Sequence, residues 1–293
     1  MTIYQKYKAL LGAVIFNVAL ATHAQTTMPL TLKTYSGPES SFFVSSTLVS
    51  GKTEAILIDA QFTRAHAHRV VADILESGKK LTTVYVSAGD PDYYFGLPVI
   101  QQAFPDARIV TTAEIYQHVV EHAQKKLDVW SSNLGANGIS NVVLPQILKI
   151  NELVVDGQKL EIKSTAGDDY HSFVWIPSLK TVVGGLDLFG NGLHVWQADA
   201  PTSQARNVWR KRLDTIASLN PVALIPGHFV PGKSNGIQSL AYTREYLDAI
   251  EVEQAKASDS AALINAMKIR YPDAQMSLAL SIGAKVIKGE MKW

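Results

Sequence analysis

The chain has 293 residues, of which 47% are hydrophobic, and its formal net charge at pH 7 is +1. This length and composition are typical of a compact globular protein and exclude a disordered chain. The small net charge and the absence of basic runs argue against nucleic-acid binding, so a small molecule is the expected partner. There are no cysteines, which excludes thiolate metal sites and cysteine-based catalysis.

Residues 1–24 have the pattern of a cleaved secretory signal peptide. Lys6 and Lys8 precede an uncharged apolar run over 9–21, and small residues follow where a signal peptidase cleaves. The run is shorter than the roughly 20 residues that span a bilayer. The sequence therefore predicts a periplasmic or secreted protein with no integral membrane segment after cleavage; a retained N-terminal anchor is the alternative.

Predicted strands and helices alternate along residues 25–293, which we expect to form a single domain with a helical C-terminal tail. The predicted strands are 42–50, 54–59, 81–86, 108–111, 147–155, 159–165, 172–176, 181–185 and 222–225. The predicted helices are 65–77, 97–104, 113–129, 203–219, 239–256 and one more after Pro272. Two mixed sheets covered by helices would stack as a four-layer αββα sandwich, an α/β (α+β) fold.

Residues able to perform chemistry cluster in the loops that follow the predicted strands. The segment Val86–Gly96 follows one strand, Gly185-Leu186-Asp187 ends a second, and Pro226-Gly227-His228 follows a third. In the predicted sandwich, the strand ends would meet in one cleft. We therefore expect these loops to form the functional site.

These loops resemble the motifs of the metallo-β-lactamase superfamily, in order and over essentially the whole mature chain. The strand Ile56–Asp59 resembles the family's early strand that ends in Asp, and the loop after Val86 resembles its His-x-His-x-Asp-His motif. Gly185-Leu186-Asp187 resembles its Gly-Asp turn with one residue inserted, and Ile225–His228 resembles its final Pro-Gly-His. The resemblance implies the same four-layer fold.

The resemblance also assigns a position to each family ligand. Ala88 and Asp90 stand at the first two histidines, Asp92 at the aspartate and Tyr93 at the third histidine. The family's next histidine falls near Gly167 or Asp168, with His171 a few residues away, and a single sequence leaves open which residue takes that place. It also leaves open whether Ala88 is natural or an engineered change.

Asp187 and His228 match the family's bridging carboxylate and last histidine directly. The metal-ligand set implied by the resemblance is Asp90, Asp92, Asp187, His228 and one of Asp168 or His171.

Such a carboxylate-rich set allows two interpretations. Converging carboxylates require a neutralising group, and one or two divalent ions (Zn²⁺, Mn²⁺ or Fe²⁺, with Mg²⁺ also compatible) would supply it. Alternatively, the metal has been lost, Tyr93 and Tyr94 fill the space of the absent imidazoles, and a phenol hydrogen-bonds Asp92.

These interpretations lead to two functional hypotheses. The first is an exported metal-dependent hydrolase in which a metal-bound hydroxide attacks an ester, lactone or amide, with Asp92 as general base and Tyr93 or Tyr94 binding the oxyanion. We assign Asp92 and Tyr93 as catalytic residues and Tyr94 and His194 as substrate-pocket residues. The second is a metal-free, non-catalytic protein that binds a small molecule or a partner in the cleft. Asp59 is expected to have mainly a structural role.

Overall fold

The structure is a computed structural model that describes residues 28–164, 170–233 and 236–293. The expected signal peptide and Asp168 therefore lie outside the described residues. In the part of the chain that is described, no helix has the length and apolarity needed to cross a membrane.

Two mixed sheets form the centre of the fold. The first sheet contains, in spatial order, β1 (Thr31–Ser36), β2 (Ser45–Ser50), β3 (Glu54–Ile58), β4 (Lys80–Tyr85), β5 (Arg108–Thr111) and β6 (Gln146–Ile147). The second contains, in spatial order, β11 (Ala223–Ile225), β10 (Thr181–Val183), β9 (Phe173–Ile176), β8 (Gln158–Lys163) and β7 (Glu152–Val155). Strands β3 to β6 are parallel, as are β10 and β11, and the remaining pairs are antiparallel.

Helices cover the outer faces of the sheets and form the C-terminal region. They are α1 (Arg64–Glu76), α2 (Pro91–Tyr94), α3 (Leu97–Ala103), α4 (Ala113–Leu134), α5 (Ser203–Ser218), α6 (Gln238–Lys256), α7 (Ser260–Arg270) and α8 (Ser277–Ile287). Thr63, Thr112 and Thr202 cap α1, α4 and α5, because each side-chain oxygen accepts a hydrogen bond from a backbone N–H of the first turn.

The alternation of side chains along the strands produces two separate cores. In β3, Ile56 and Ile58 pack into the core between the sheets, whereas Ala55 and Leu57 pack into the larger core beneath the helices. The same alternation occurs in β9, where successive residues pack into the two cores in turn. This arrangement confirms the predicted fold of two helix-covered sheets.

Several elements differ from the sequence prediction, among them the short helix α2, which was expected as loop. The single strand predicted over 147–155 is two strands, because β6 pairs with β5 in the first sheet and β7 pairs with β8 in the second. Strand β1 was not predicted; it is an edge strand in which no residue is fully buried, so its hydrophobic pattern is weak. The C-terminal region contains α7 before Pro272 as well as the expected helix after it.

Candidate functional site

The loops after β3, β4, β10 and β11 meet at one edge of the two sheets. Residue Ala88 forms an isolated antiparallel bridge with His171, and the backbone N–H of Ser172 donates to the carbonyl oxygen of Ser87 (2.9 Å). The loop after β4 is therefore tied to the start of β9 in the other sheet. The predicted cleft forms where these strand ends come together.

A polar network lies beneath the cleft and joins the two sheets. Asp59, in the left-handed backbone region with φ 64°, accepts hydrogen bonds from the backbone N–H (2.8 Å) and hydroxyl (2.7 Å) of Ser87. The same hydroxyl accepts from the N–H of Gly185 (2.8 Å). Burial raises the pKa of Asp59 to about 7 despite the two bonds from Ser87. Asp59 therefore connects strand ends and does not line the cleft.

The motif loop, residues 88–94, builds the floor of the cleft. Ala88 is fully buried and presents only a methyl group where the family has its first histidine. Pro91 begins the short helix α2, which suits its fixed φ, and this helix sets Asp92 and Tyr93 towards the later loops. Burial, together with the negative charge of Asp90, raises the pKa of Asp92 well above its usual value.

The hydroxyl of Tyr93 lies against Nε2 of His228, the last histidine of the motif set. The Nδ1 atom of His228 lies 2.8 Å from the carbonyl oxygen of Phe42, and its Nε2 atom lies 3.1 Å from the Tyr93 hydroxyl and 3.5 Å from Asp92 Oδ2. Burial lowers the pKa of His228 to about 4, so the ring is neutral near pH 7 and protonated on Nδ1. Nε2 is then an acceptor for the tyrosine hydroxyl. The expected phenol therefore sits at this position, but it contacts His228 and the carbonyl oxygen of Gly185 (3.3 Å) and not Asp92.

The packing around Pro226-Gly227-His228 fixes this contact. A Cβ atom at Gly227 would lie 2.1 Å from the carbonyl oxygen of Gly185 and 2.5 Å from the Tyr93 hydroxyl. Only glycine allows the two loops and the tyrosine to approach so closely. The ring of Phe189 stacks on the imidazole of His228 with centroids 4.7 Å apart. The Tyr93–His228 pair is thus held from several sides.

Asp187 forms a buried ion pair with Arg212 of helix α5. The guanidinium Nε of Arg212 donates to Asp187 Oδ1, and the indole Nε1 of Trp209, one turn earlier in the helix, donates to the carbonyl oxygen of Asp187 (2.9 Å). Both charged side chains are buried. The carboxylate that the resemblance assigns as a bridging metal ligand therefore has a protein cation beside it.

Sequence reasoning missed Arg212, although a signal was present. The buried residues of α5 are Arg206, Trp209, Arg212, Leu213 and Ile216, which recur at helical spacing. Two arginines on the apolar face of a helix indicate buried ion pairs, since an arginine is rarely buried without a partner. Which carboxylate Arg212 meets depends on the packing of α5 against the loop after β10, and the spacing alone does not specify that contact.

The remaining predicted site residues lie at different depths. His171 Nε2 is 4.0 Å from Asp90 Oδ2 at the edge of the cleft, next to Ala88. Tyr94 is fully buried behind the floor, with its ring 5.3 Å from that of Phe95. His194 is buried, and its Nδ1 lies 3.0 Å from the hydroxyl of Tyr246. Neither Tyr94 nor His194, the two residues expected in the substrate pocket, lines the cavity that opens above Asp92.

The cavity above Asp92 has aromatic walls. Its empty space is about 450 Å³, part of it open to solvent. The aromatic residues that line it are Phe42, Phe62, Trp130, Trp196 and Trp293. The polar and charged residues that line it are Asp90, Asp92, Lys126, Asp199 and His228. A lining of aromatic side chains with a few convergent polar groups is typical of small-molecule sites.

Comparison with known proteins identifies the family. The sequence profile of the metallo-β-lactamase superfamily matches residues 41–228, which is more than half of the chain. The chain belongs to the metallo-β-lactamase superfamily. Members of this superfamily are generally hydrolases that bind zinc or other divalent ions.

Solved structures with the same fold are distant in sequence. A β-lactamase domain protein from Burkholderia ambifaria has a TM-score of 0.61 at 15% identity, with 88% of this chain and 86% of that one covered. A metallo-β-lactamase family protein from Thermus thermophilus has a TM-score of 0.57 at 17% identity, with 89% and 93% covered. No curated protein sequence matches the chain. These similarities show the superfamily fold alone.

Among the described residues, those at the family's ligand positions do not fit a divalent ion. Across residues 28–164, 170–233 and 236–293, no group of three or more histidine, aspartate or glutamate side chains is arranged to hold a metal. The donor set explains this result: Ala88 has no donor atom, Tyr93 covers Nε2 of His228, and Arg212 pairs with Asp187. A metal ion would have to displace a buried hydroxyl and a buried guanidinium to reach its last two ligands.

Proposed function

We propose that this member of the metallo-β-lactamase superfamily binds a small molecule in its cleft without a resident metal ion. The observation that carries this proposal is that two of the three retained ligand residues, Asp187 and His228, pair with protein groups. Arg212 neutralises Asp187, and the Tyr93 hydroxyl satisfies His228. The cleft of the superfamily is thereby retained as a cavity, while the side chains of Asp187 and His228 make contacts that stabilise the fold.

The energetics of buried charge support metal-independent folding of the cleft. A buried carboxylate without a counter-charge costs several kcal/mol, so Asp187 requires a cation in the folded protein. In a metal enzyme the ion would supply that charge, whereas here the guanidinium of Arg212 supplies it. The protein therefore reaches its folded state with Asp187 already neutralised.

The aromatic wall of the cavity is held in a fixed arrangement before any ligand binds. Asp199 accepts hydrogen bonds from the indole N–H of Trp196 (2.6 Å) and of Trp293 (2.7 Å). Phe42 packs edge-on against Trp130 and Trp196, with ring centroids 5.5 Å and 5.9 Å away. Preorganised aromatic surfaces reduce the entropy lost on binding, which supports a binding function.

The proposal includes export. The pattern of residues 1–24 supports cleavage by a signal peptidase and a periplasmic or secreted mature protein. Mass spectrometry of the protein expressed with its own N-terminus tests this part, with a mature chain starting near residue 25 as the expected result. An intact N-terminus on a membrane-attached protein would overturn it.

The metal-dependent hydrolase is the competing function, and activity assays distinguish the two. Protein purified without chelator is assayed with a chromogenic ester, a lactone and a cephalosporin, with and without added Zn²⁺ or Mn²⁺. We expect no turnover that depends on the metal. Turnover that rises with metal and is lost in Asp92→Asn would overturn the proposal and establish the hydrolase, with Asp92 in its expected catalytic role.

A further inference from the structure

The aromatic cavity carries more acidic than basic side chains. Three carboxyl groups line it, those of Asp90, Asp92 and Asp199, against the single ammonium group of Lys126. Asp199 accepts hydrogen bonds from two indoles, whereas Asp90 and Asp92 stand side by side in the floor. Adjacent buried carboxyl groups oppose each other's negative charge, and a cation placed beside them removes that cost.

The walls above Asp90 and Asp92 are also suited to a positive charge. Phe42, Phe62 and Trp130 pack on one another with centroids 5.4 to 5.5 Å apart and line the cavity. Aromatic faces attract cations, most strongly where water is excluded. The molecule contains one such contact at this cavity already, because Lys126 Nζ lies 4.7 Å from the centroid of the Trp293 ring.

We infer that the cavity recognises a small organic cation that carries an alkylated ammonium group. The ammonium group would lie over Asp90 and Asp92, with its alkyl substituents against Phe42, Phe62 and Trp130. An alkylated ammonium suits this lining better than a metal ion, because it is stabilised by carboxylate charge and aromatic surface. It does not need the nitrogen of His228 or the carboxylate of Asp187 as ligands. This inference rests on the proposed metal-independent binding function.

Three probes of nearly the same size and shape test the inference by isothermal titration calorimetry of the full mature chain. They are choline, its neutral isostere 3,3-dimethylbutan-1-ol, and the anion 3,3-dimethylbutanoate. We expect choline to bind at least about tenfold more tightly than the neutral isostere, and the anion to bind most weakly. Equal affinities of choline and the alcohol, or no binding by any probe, would overturn the inference.

Variants separate recognition of the cation from damage to the fold. Asp92→Asn is expected to lower choline affinity by about tenfold, with Asp128→Asn on the exposed face of α4 as the matched control. Lys126→Met is expected to raise choline affinity by roughly threefold, because it removes a like charge from the cavity, with the exposed neighbour Lys125→Met unchanged. Since a disrupted fold cannot increase affinity, tighter choline binding by Lys126→Met would support the inference. Unchanged or weaker binding by the folded variant would contradict it.

The same experiment distinguishes failure of this inference from failure of the proposed function. Preferential binding of the neutral alcohol would overturn the inferred preference for a cation. The proposal of metal-independent binding of a small molecule would still stand. Metal-dependent turnover in the assays above would instead overturn the proposed function itself.

Discussion

The polar network beneath the cleft and the floor of the cleft itself differ in how their polar groups are satisfied. Beneath the cleft, Asp59, Ser87 and Gly185 are joined by short hydrogen bonds of 2.7 to 2.8 Å that hold the strand ends together. At the floor, by contrast, Arg212 neutralises Asp187, and the Tyr93 hydroxyl hydrogen-bonds His228. The difference shows that the strand-end geometry of this fold can persist independently of the ligand set that stands on it.

The largest expected effect is in the floor, at Arg212. Arg212→Met leaves the buried Asp187 without its counter-charge, and we expect the free energy of unfolding to fall by about 3–5 kcal/mol. Urea denaturation measures the change. The matched control is Arg210→Met on the same helix, whose ion pair with the largely exposed Asp248 is expected to contribute about 0–1 kcal/mol.

A double variant makes the comparison sharper. Adding Asp187→Asn to Arg212→Met removes the unpaired charge, so we expect the double variant to be more stable than Arg212→Met alone. If the stability losses of Arg212→Met and Asp187→Asn simply add in the double variant, the two side chains are not coupled. The ion pair would then not stabilise the floor of the cleft.

An intermediate effect is expected in the network, at Ser87. Ser87→Ala removes the hydroxyl that donates to Asp59 and accepts from the N–H of Gly185, leaving two buried polar groups unsatisfied. We expect a loss of about 2–3 kcal/mol in the free energy of unfolding. Ser140→Ala, at an exposed position, is the control and should be nearly neutral. A neutral Ser87→Ala would show that the network does not hold the strand ends.

A smaller, pH-dependent effect is expected at Asp59. Its pKa in the folded protein is about 7, against about 3.9 for an unfolded chain. The folded protein thus keeps a proton that the unfolded chain releases, so this stabilisation is present below about pH 4 and is lost as the pH rises through about 7. Asp59→Asn has no such proton. We expect its stability relative to the wild type to rise by on the order of 1–3 kcal/mol from about pH 5 to about pH 8.

Urea denaturation at both pH values measures the Asp59 effect. Asp106→Asn, at an exposed position outside the network, serves as the control for the substitution itself. A constant difference for Asp59→Asn would mean that Asp59 is ionised throughout, and that the network is stabilised by a charge.

Much of this fold could be predicted from the sequence because the strands, turns and motif loops follow one another in the family's order. The resemblance also indicated Asp187 and His228, which the structure brings to the cleft. The partners of these residues could not be predicted, since the resemblance describes which ligands a metal site needs and not what replaces them. Arg212 reaches the site from a helix of the outer layer, and the Tyr93 hydroxyl points to His228 only because the two loops close on Gly227.

The metal content of the purified protein tests the central claim most directly. Wild-type protein, prepared without chelator and then loaded with Zn²⁺ or Mn²⁺ and desalted, is measured by elemental analysis beside Asp187→Asn and Tyr93→His. If Arg212 and Tyr93 take the place of a metal ion, the wild type will retain only sub-stoichiometric metal under every loading condition. A full equivalent of metal in the wild type that is lost in Asp187→Asn would contradict the account.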